Sequence, residues 1–212
     1  MITKDIILDV LIEIAKTMED EKDYLVELDQ QNGDGDLGIS MSAGFNAAVN
    51  AFKDDSGKDI GLGLLKAAMA FNEKAPSSLG TILSFGLMAM GKTFKGKQEL
   101  TREELVLGFS KFNEEIMDKG GAKPGEKTIV DTFIPVEKFV RENLGKIPDN
   151  ELIKESEKIA KEGSDSTRNM KSVHGRAAYY AEKSIGVLDG GSYAGYLIFK
   201  ALNNFTTYGG KK

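Results

Sequence analysis

Apolar residues recur at helical spacing along almost the whole chain, and this period decides the fold class. Ile6, Ile7, Val10, Leu11 and Ile14 follow the i, i+3/i+4, i+7 rule of one buried helix face. Residues 41–52 carry Met41, Phe45, Ala48, Val49 and Phe52 on one side, and residues 103–117 place Leu105, Phe109, Phe112 and Ile116 likewise. Further helices are predicted over 60–71, 79–90, 129–144, 151–161, 167–183 and 192–205, with a short one over 23–28. Gly63, Ala67, Ala68, Gly86 and Ala89 permit close helix contacts. Pro135 is expected to kink its helix, Gly145 reads as a C-cap and Asp149 as the next N-cap. No run of four to eight alternating β-branched residues lies between hairpin signals, so no strands are predicted. The expectation is one all-α domain over 1–212, of about eight or nine helices.

Glycine collects where these helices meet: at 33, 35 and 38, at 80, at 120, 121 and 125, and at 186, 190 and 191. In an up-down helical array every second junction falls at the same end. Several of these loops are thus placed to form a single rim around one ligand.

The first junction carries the densest chemistry. Asp29 is followed by Asn32-Gly33-Asp34-Gly35-Asp36-Leu37-Gly38. A helix would scatter these carboxylates around its circumference, whereas a glycine-bent loop can aim them at one centre. Three converging carboxylates repel one another unless a cation sits among them, and an all-oxygen set suits a hard ion such as Mg²⁺. Glycines also let backbone N–H groups approach phosphate oxygens. The loop reads as a Mg²⁺–phosphate site, against the plainer reading of an Asp/Gly-rich surface turn. An EF-hand loop starting at Asn32 is ruled out, because Leu37 stands where Gly is required and Ala43 where Glu is required.

Composition removes other classes of function. The chain has no cysteine, so it has no disulfide framework, thiol nucleophile or Cys-based zinc site, which fits a cytoplasmic location. Lys4, Asp5 and Asp9 interrupt any signal-peptide core, and no apolar run is long enough to span a bilayer. A net charge of −5 without a basic stripe argues against nucleic acid. With His174 the only histidine, a hydrolase triad or a His-rich metal site would rest on one residue.

Three more segments carry chemistry. Residues 119–128 form a Gly-rich turn entering a helix, where free N–H groups and Lys123 or Lys127 suit phosphate; an ordinary connection with solvated lysines is the alternative. The turn lacks the Walker A register. Ala75-Pro76-Ser77-Ser78-Leu79-Gly80 opens an apolar helix, where Ser77 or Ser78 serves as N-cap or holds a phosphate. Gly175-Arg176-Ala177, then Glu182-Lys183-Ser184-Ile185-Gly186 and Asp189-Gly190-Gly191, form the last. Arg176 either clamps phosphate with two parallel hydrogen bonds or pairs with a carboxylate on a helix surface. His174 reads as a local structural or surface histidine, and Tyr179 and Tyr180 as packing residues.

In this order and at these separations the motifs resemble the L subunit, the nucleotide-binding part, of dihydroxyacetone kinase, from about residue 3 to the C-terminus. The resemblance implies a closed barrel of about eight antiparallel amphipathic helices with the nucleotide at one rim. It implies that Asp29, Asp34 and Asp36 hold two Mg²⁺ ions between protein and ADP or ATP phosphates. By the same likeness Leu37, Gly38, Ile39, Ser40, Ala75, Ser77 and Ser78 line the phosphate site. Gly120, Thr128 and Ile129 border the adenosine, and Arg176, Asp189, Gly190 and Gly191 close the rim. No residue of the chain is assigned a covalent catalytic role. The implied reaction is phosphoryl transfer to a small ketose held on a separate K-type subunit, with bound ADP recharged by a phosphohistidine protein. A homodimer is compatible with this scheme.

Three departures accompany the likeness. Leu37 stands where the family typically has His, Asn72-Glu73-Lys74-Ala75-Pro76 where it has a Gly-Gly-x-Ser-Gly turn, and Asp189-Gly190-Gly191 where it has Asp-Pro-Gly. They motivate a second expectation, a non-catalytic ADP-binding regulatory subunit that binds a transcription regulator or partner subunit. A third, an unrelated Mg²⁺-dependent helical hydrolase, fits less well because such enzymes more often carry acidic pairs on helices.

Overall fold

The computed structural model describes residues 1–208. Strand β1 (Ile2–Thr3) leads into helices α1 (Lys4–Asp20), α2 (Lys22–Gln30), α3 (Leu37–Asp54), α4 (Ile60–Lys74) and α5 (Ser78–Thr93). Strand β2 (Glu99–Leu100) precedes α6 (Arg102–Gly120), α7 (Val130–Asn143), α8 (Asp149–Ser166) and α9 (Gly190–Tyr208). Short polar side chains start several of these helices by accepting an otherwise orphaned amide. Thr3, Asp59 and Ser77 do so for α1, α4 and α5, and Thr101 with Glu104 forms a reciprocal capping box at α6.

The helices pack in sequence, α3 on α4, α4 on α5, and so on to α8 on α9; α9 then returns to α1, and α1 to α3. The circuit of neighbours closes around eight helices, while α2 lies against α3 and α9. Inside sit Met18, Met41, Phe45, Phe52, Ile60, Phe71, Leu83 and Phe94. Phe109, Phe112, Phe133 and Phe199 add an aromatic cluster from α6, α7 and α9, with edge-to-face pairs 5.7–5.9 Å apart and a tilted Phe109–Phe112 pair at 6.4 Å. Gly86 shows why small residues were needed at the helix contacts. A Cβ there would lie 2.7 Å from Ile116 Cγ2 on α6. No described helix is long and apolar enough to cross a membrane.

The sequence expectations need three corrections. Ile2–Thr3 and Glu99–Leu100 pair as a two-residue antiparallel ladder, too short to leave an alternating pattern. Residues 167–183 are not one helix but 3₁₀ turns at Thr167–Asn169 and Arg176–Ser184, broken by extended Met170 and by Gly175 at φ +63°. Pro148 occupies the N-cap of α8 with extended backbone, which moves Asp149 one position into the helix, where its charge still favours the N-terminal dipole. Pro135 lies inside α7, as expected of the helix over 129–144. It leaves the Asp131 carbonyl without an amide at i+4, and Gly163 of α8 faces that carbonyl. Gly145, at φ +74° just past α7, fills the predicted terminating role.

Candidate functional site

The even alternation of the helices brings four junctions to one end. The loops before α3, α5, α7 and α9 line a cavity of about 380 Å³. The other end is tied separately: Lys4 Nζ donates to the Asp55 and Gly57 carbonyls, and Ile60 N–H to that of Lys97.

In the first loop one carboxylate shapes the others. Asp29, near the end of α2, accepts the amides of Gly35 (2.8 Å) and Asp36 (3.1 Å) on Oδ2, which folds the chain back over it. Gly33 lies against the same side chain; a Cβ there would be 2.7 Å from Asp29 Cγ. Asp36 stands at the N-cap of α3 but makes no capping bond with its side chain. One oxygen from each of Asp29, Asp34 and Asp36 lies within 4.8 Å of the others. Burial, then Asp34 and Asp29, push the Asp36 carboxyl above its usual range, and Arg176 partly offsets this. Hard oxygen donors at this spacing, in a cradle that only a glycine at 33 leaves open, fit a Mg²⁺ ion.

The other loops bring the opposite charge and free amides. Arg176 Nη2 meets Asp34 Oδ2 at 2.6 Å across the rim. Ser77 caps α5 by accepting the Gly80 amide, which leaves its hydroxyl proton free to donate. Asp189 accepts the Ser192 amide at the head of α9. Burial raises its pKa to about 6, with Asp131 and Asp29 adding to the rise and the Ser192 amide and Lys127 opposing it.

Lys127 departs from the phosphate role considered for it. It is 3% exposed at φ +61°, and its amine donates to the carbonyls of Met170 (3.2 Å), Ser184 (2.6 Å) and Val187 (2.6 Å). All three protons are engaged, so Lys127 fastens the α8–α9 connection to the turn before α7. His174 Nε2 makes a second tie to Glu126 Oε2 at 2.7 Å, a bond that holds Glu126 below the usual carboxylate range.

Of the residues singled out in sequence, Asp29, Asp34, Asp36, Leu37, Ser77, Ser78, Gly120, Thr128, Ile129, Arg176, Asp189, Gly190 and Gly191 line the cavity. Gly38, Ile39, Ser40 and Ala75 do not. Gly38 is pressed against the Lys22 carbonyl, Ile39 is 56% exposed, and Ser40 and Ala75 are buried in helix contacts. Gly38 and Ile39 still offer first-turn amides, which have no acceptor within the helix. Sequence reasoning missed Ser172, a lining residue whose buried hydroxyl has no partner, and Asp131. The buried Asp131 carboxylate accepts the Gly125 and Thr128 amides (2.5 and 2.8 Å) and so shapes the turn before α7. The Thr128-x-x-Asp131 spacing, a variant of the capping box, was the available signal.

Fold and site together define a helical-ring domain with an acidic cluster and a facing guanidinium at one rim. The chain matches the DAK2 domain over residues 31–204 and belongs to that family. It is 31% identical over 176 residues to the ADP-binding subunit DhaL of the PEP-dependent dihydroxyacetone kinase of Escherichia coli, covering 81% of this chain and 82% of that one. It is 31% identical over 192 residues to the L-erythrulose kinase of Pectobacterium atrosepticum, covering 86% of this chain but 32% of that protein. Among solved structures it superposes on the dihydroxyacetone kinase from C. freundii in complex with AMP-PNP and Mg²⁺ with a TM-score of 0.71. There the identity is 20%, over 93% of this chain and 33% of that one, so this likeness shows the fold. The chain thus spans about a third of the longer relatives and most of the DhaL subunit. The likeness to L subunits read from the sequence is borne out.

Proposed function

We propose that this chain is the nucleotide-binding subunit of a small-ketose kinase of the dihydroxyacetone type, which works with a ketose held on a separate K-type subunit. The observation that carries the reading is the convergence of three carboxylates, Arg176 and four helix junctions on one cavity, in a chain of the DAK2 family. Asp29, Asp34 and Asp36 would hold the metal, which, when bound, supplies charge neutralisation to the nucleotide phosphates.

The chain's own groups supply position. The amides at the head of α3 and the Ser77 hydroxyl face phosphate oxygens, and Arg176 offers a planar two-point donor. Ile82, Ile116 and Ile129 give the cavity an apolar side suited to a base. The name of the E. coli relative, PEP-dependent, supports recharging of bound ADP by a phosphohistidine protein.

Native mass spectrometry of the purified chain tests the binding half: ADP and magnesium should be retained and should be lost from Asp34→Asn/Asp36→Asn. Mixing the chain with Mg²⁺·ATP and a panel of small ketoses tests the subunit half. Sugar phosphate should form only when a K-type partner is added, and robust partner-free turnover would refute the subunit reading.

One observation favours a second reading. Leu37 stands where the family typically has His, and it is 7% exposed and packed against Gly190. It offers no donor to a transferred phosphoryl group, as expected of a subunit that binds ADP and signals its presence to a partner. Nucleotide binding that persists with every K-type partner tried, without transfer, would favour that reading.

A further inference from the structure

Asp34 already carries a cation supplied by the chain itself. Arg176 Nη2 bonds its Oδ2 at 2.6 Å, and among the described residues this is the only salt bridge made by any of Asp29, Asp34 and Asp36. The two partners are held very differently from the rest of the loop. Asp29 is committed to two backbone amides. Asp34 lies between Gly33 and Gly35, and Gly35 is at φ +78°. Arg176 directly follows Gly175, at φ +63°, in a 3₁₀ turn outside the helical ring, and its side chain is 68% exposed. A long, solvated side chain beside a glycine moves with little loss of packing.

We propose that Arg176 and the divalent metal compete for Asp34, and that nucleotide phosphate resolves the competition by giving the guanidinium a second partner. This rests on the reading of the acidic loop as a metal site. A guanidinium and a divalent ion on one carboxylate repel each other and divide the same lone pairs, so each lowers the affinity of the other. Phosphate accepts the planar fork as well as a carboxylate does. Arg176 therefore acts on both sides of a linkage. It weakens metal binding while it is on Asp34 and strengthens nucleotide binding once it has left. By reciprocity, metal and nucleotide must raise each other's affinity by the same factor. The chain consequently takes up metal and nucleotide together and holds free metal poorly, although three carboxylates face one centre.

The probe is Mn²⁺, followed by electron paramagnetic resonance of the free ion, on the full chain with and without ADP. Without nucleotide, Arg176→Gln should bind Mn²⁺ about tenfold more tightly than wild type, the size expected when one charge-assisted competitor is removed. The factor by which ADP tightens Mn²⁺ binding should shrink correspondingly. Arg176→Lys keeps the charge but not the fork, and its Mn²⁺ affinity without nucleotide should stay near wild type. The side chain is mostly exposed, so far-UV melting should be unchanged and unfolding does not confuse the result. If Arg176→Gln binds Mn²⁺ no more tightly than wild type, or its coupling to ADP is undiminished, Arg176 is a static brace and the proposal falls. Asp34→Asn separates the underlying reading. If it binds Mn²⁺ as wild type does, the acidic loop is not the metal site, and the exchange falls with it.

Discussion

Lys127→Met is the most informative single change, because one amine ties two walls of the cavity together. The substitution refills most of the stem's volume and deletes an ammonium bonded to the Met170, Ser184 and Val187 carbonyls. Hydrogen bonds from a charged donor contribute about 1.5–3 kcal/mol each, so three set an upper bound near 9 kcal/mol. Two effects reduce it. Burial lowers the Lys127 pKa, so keeping the ammonium there already has a cost. Lys127 itself lines the open cavity, so water can follow into the space its amine leaves. A net loss of about 3 kcal/mol follows, the low end for breaking a buried charge cluster. With unfolding entropy near 2.1 cal/mol/K per residue, this lowers Tm by about 7 °C. Lys127→Gly relieves the positive φ at 127, worth about 1 kcal/mol, but loses the same three bonds, so it should stay well below wild type. Urea unfolding followed by circular dichroism gives both numbers, with Lys111→Met, on an exposed ion pair, as a control expected within about 0.5 kcal/mol of wild type. The Met variant should also bind Mg²⁺·ADP more weakly, because Ser172 to Ala177 lose their anchor. A loss below about 1 kcal/mol would show that the amine is not the fastening described.

Asp34→Asn/Asp36→Asn should abolish tight Mg²⁺·ADP binding by calorimetry with helical content unchanged; retained affinity would reduce the loop to a turn. Wild type should gain about 3 kcal/mol of stability from Mg²⁺·ADP at a hundredfold excess over Kd, read as a Tm shift. Gly33→Ala drives a Cβ toward Asp29 and should cost at least about tenfold in Mg²⁺·ADP affinity with under about 1 kcal/mol in stability, since the loop lies outside the core. Asp189 has a native pKa near 6, above its unfolded value, so the folded chain binds this proton more tightly. Its contribution is fully present below about pH 4 and is lost as pH rises to about 6. Relative to Asp189→Asn, wild type should therefore lose urea stability across that window, and a flat difference would contradict the assignment.

What was legible in the sequence divides along physical lines. Apolar periodicity marks a helix because one face must be buried, and α1 and α3 to α9 were visible for that reason. Glycine at alternate junctions marked the rim, and the Asp29–Asp36 loop was found from residue types alone. The connection over residues 167–189 was misread because its order comes from distant partners. Lys127 holds it from 43 to 60 positions away in sequence, and Ser184 receives the Ser172 amide. No local pattern encodes such a bond. Lys127 itself read as a phosphate-facing or a solvated lysine because nothing near it in sequence shows that its amine is enclosed. Asp131 was hidden differently: it reads as one more polar position on the face of α7, and beyond the Thr128-x-x-Asp131 spacing its two amide contacts are what reveal its task.

Leu37 shows how fold and chemistry constrain each other at this rim. It is both the first residue of α3 and the neighbour of Asp36, so it can serve the helix junction or the ligand, but not both with one side chain. Its place against Gly190 serves the junction: a Cβ at 190 would lie 2.6 Å from Leu37 Cδ2, so α3 and the head of α9 approach because residue 190 has no side chain. That approach brings Asp189 toward Asp29, whose charge contributes to the raised pKa of Asp189. An apolar residue at 37 therefore draws the acidic groups of two junctions together while adding no donor to offset them. Neutralisation is left to Arg176 beside Asp34, Lys127 near Asp189, the helix amides and the metal that the cluster is suited to hold.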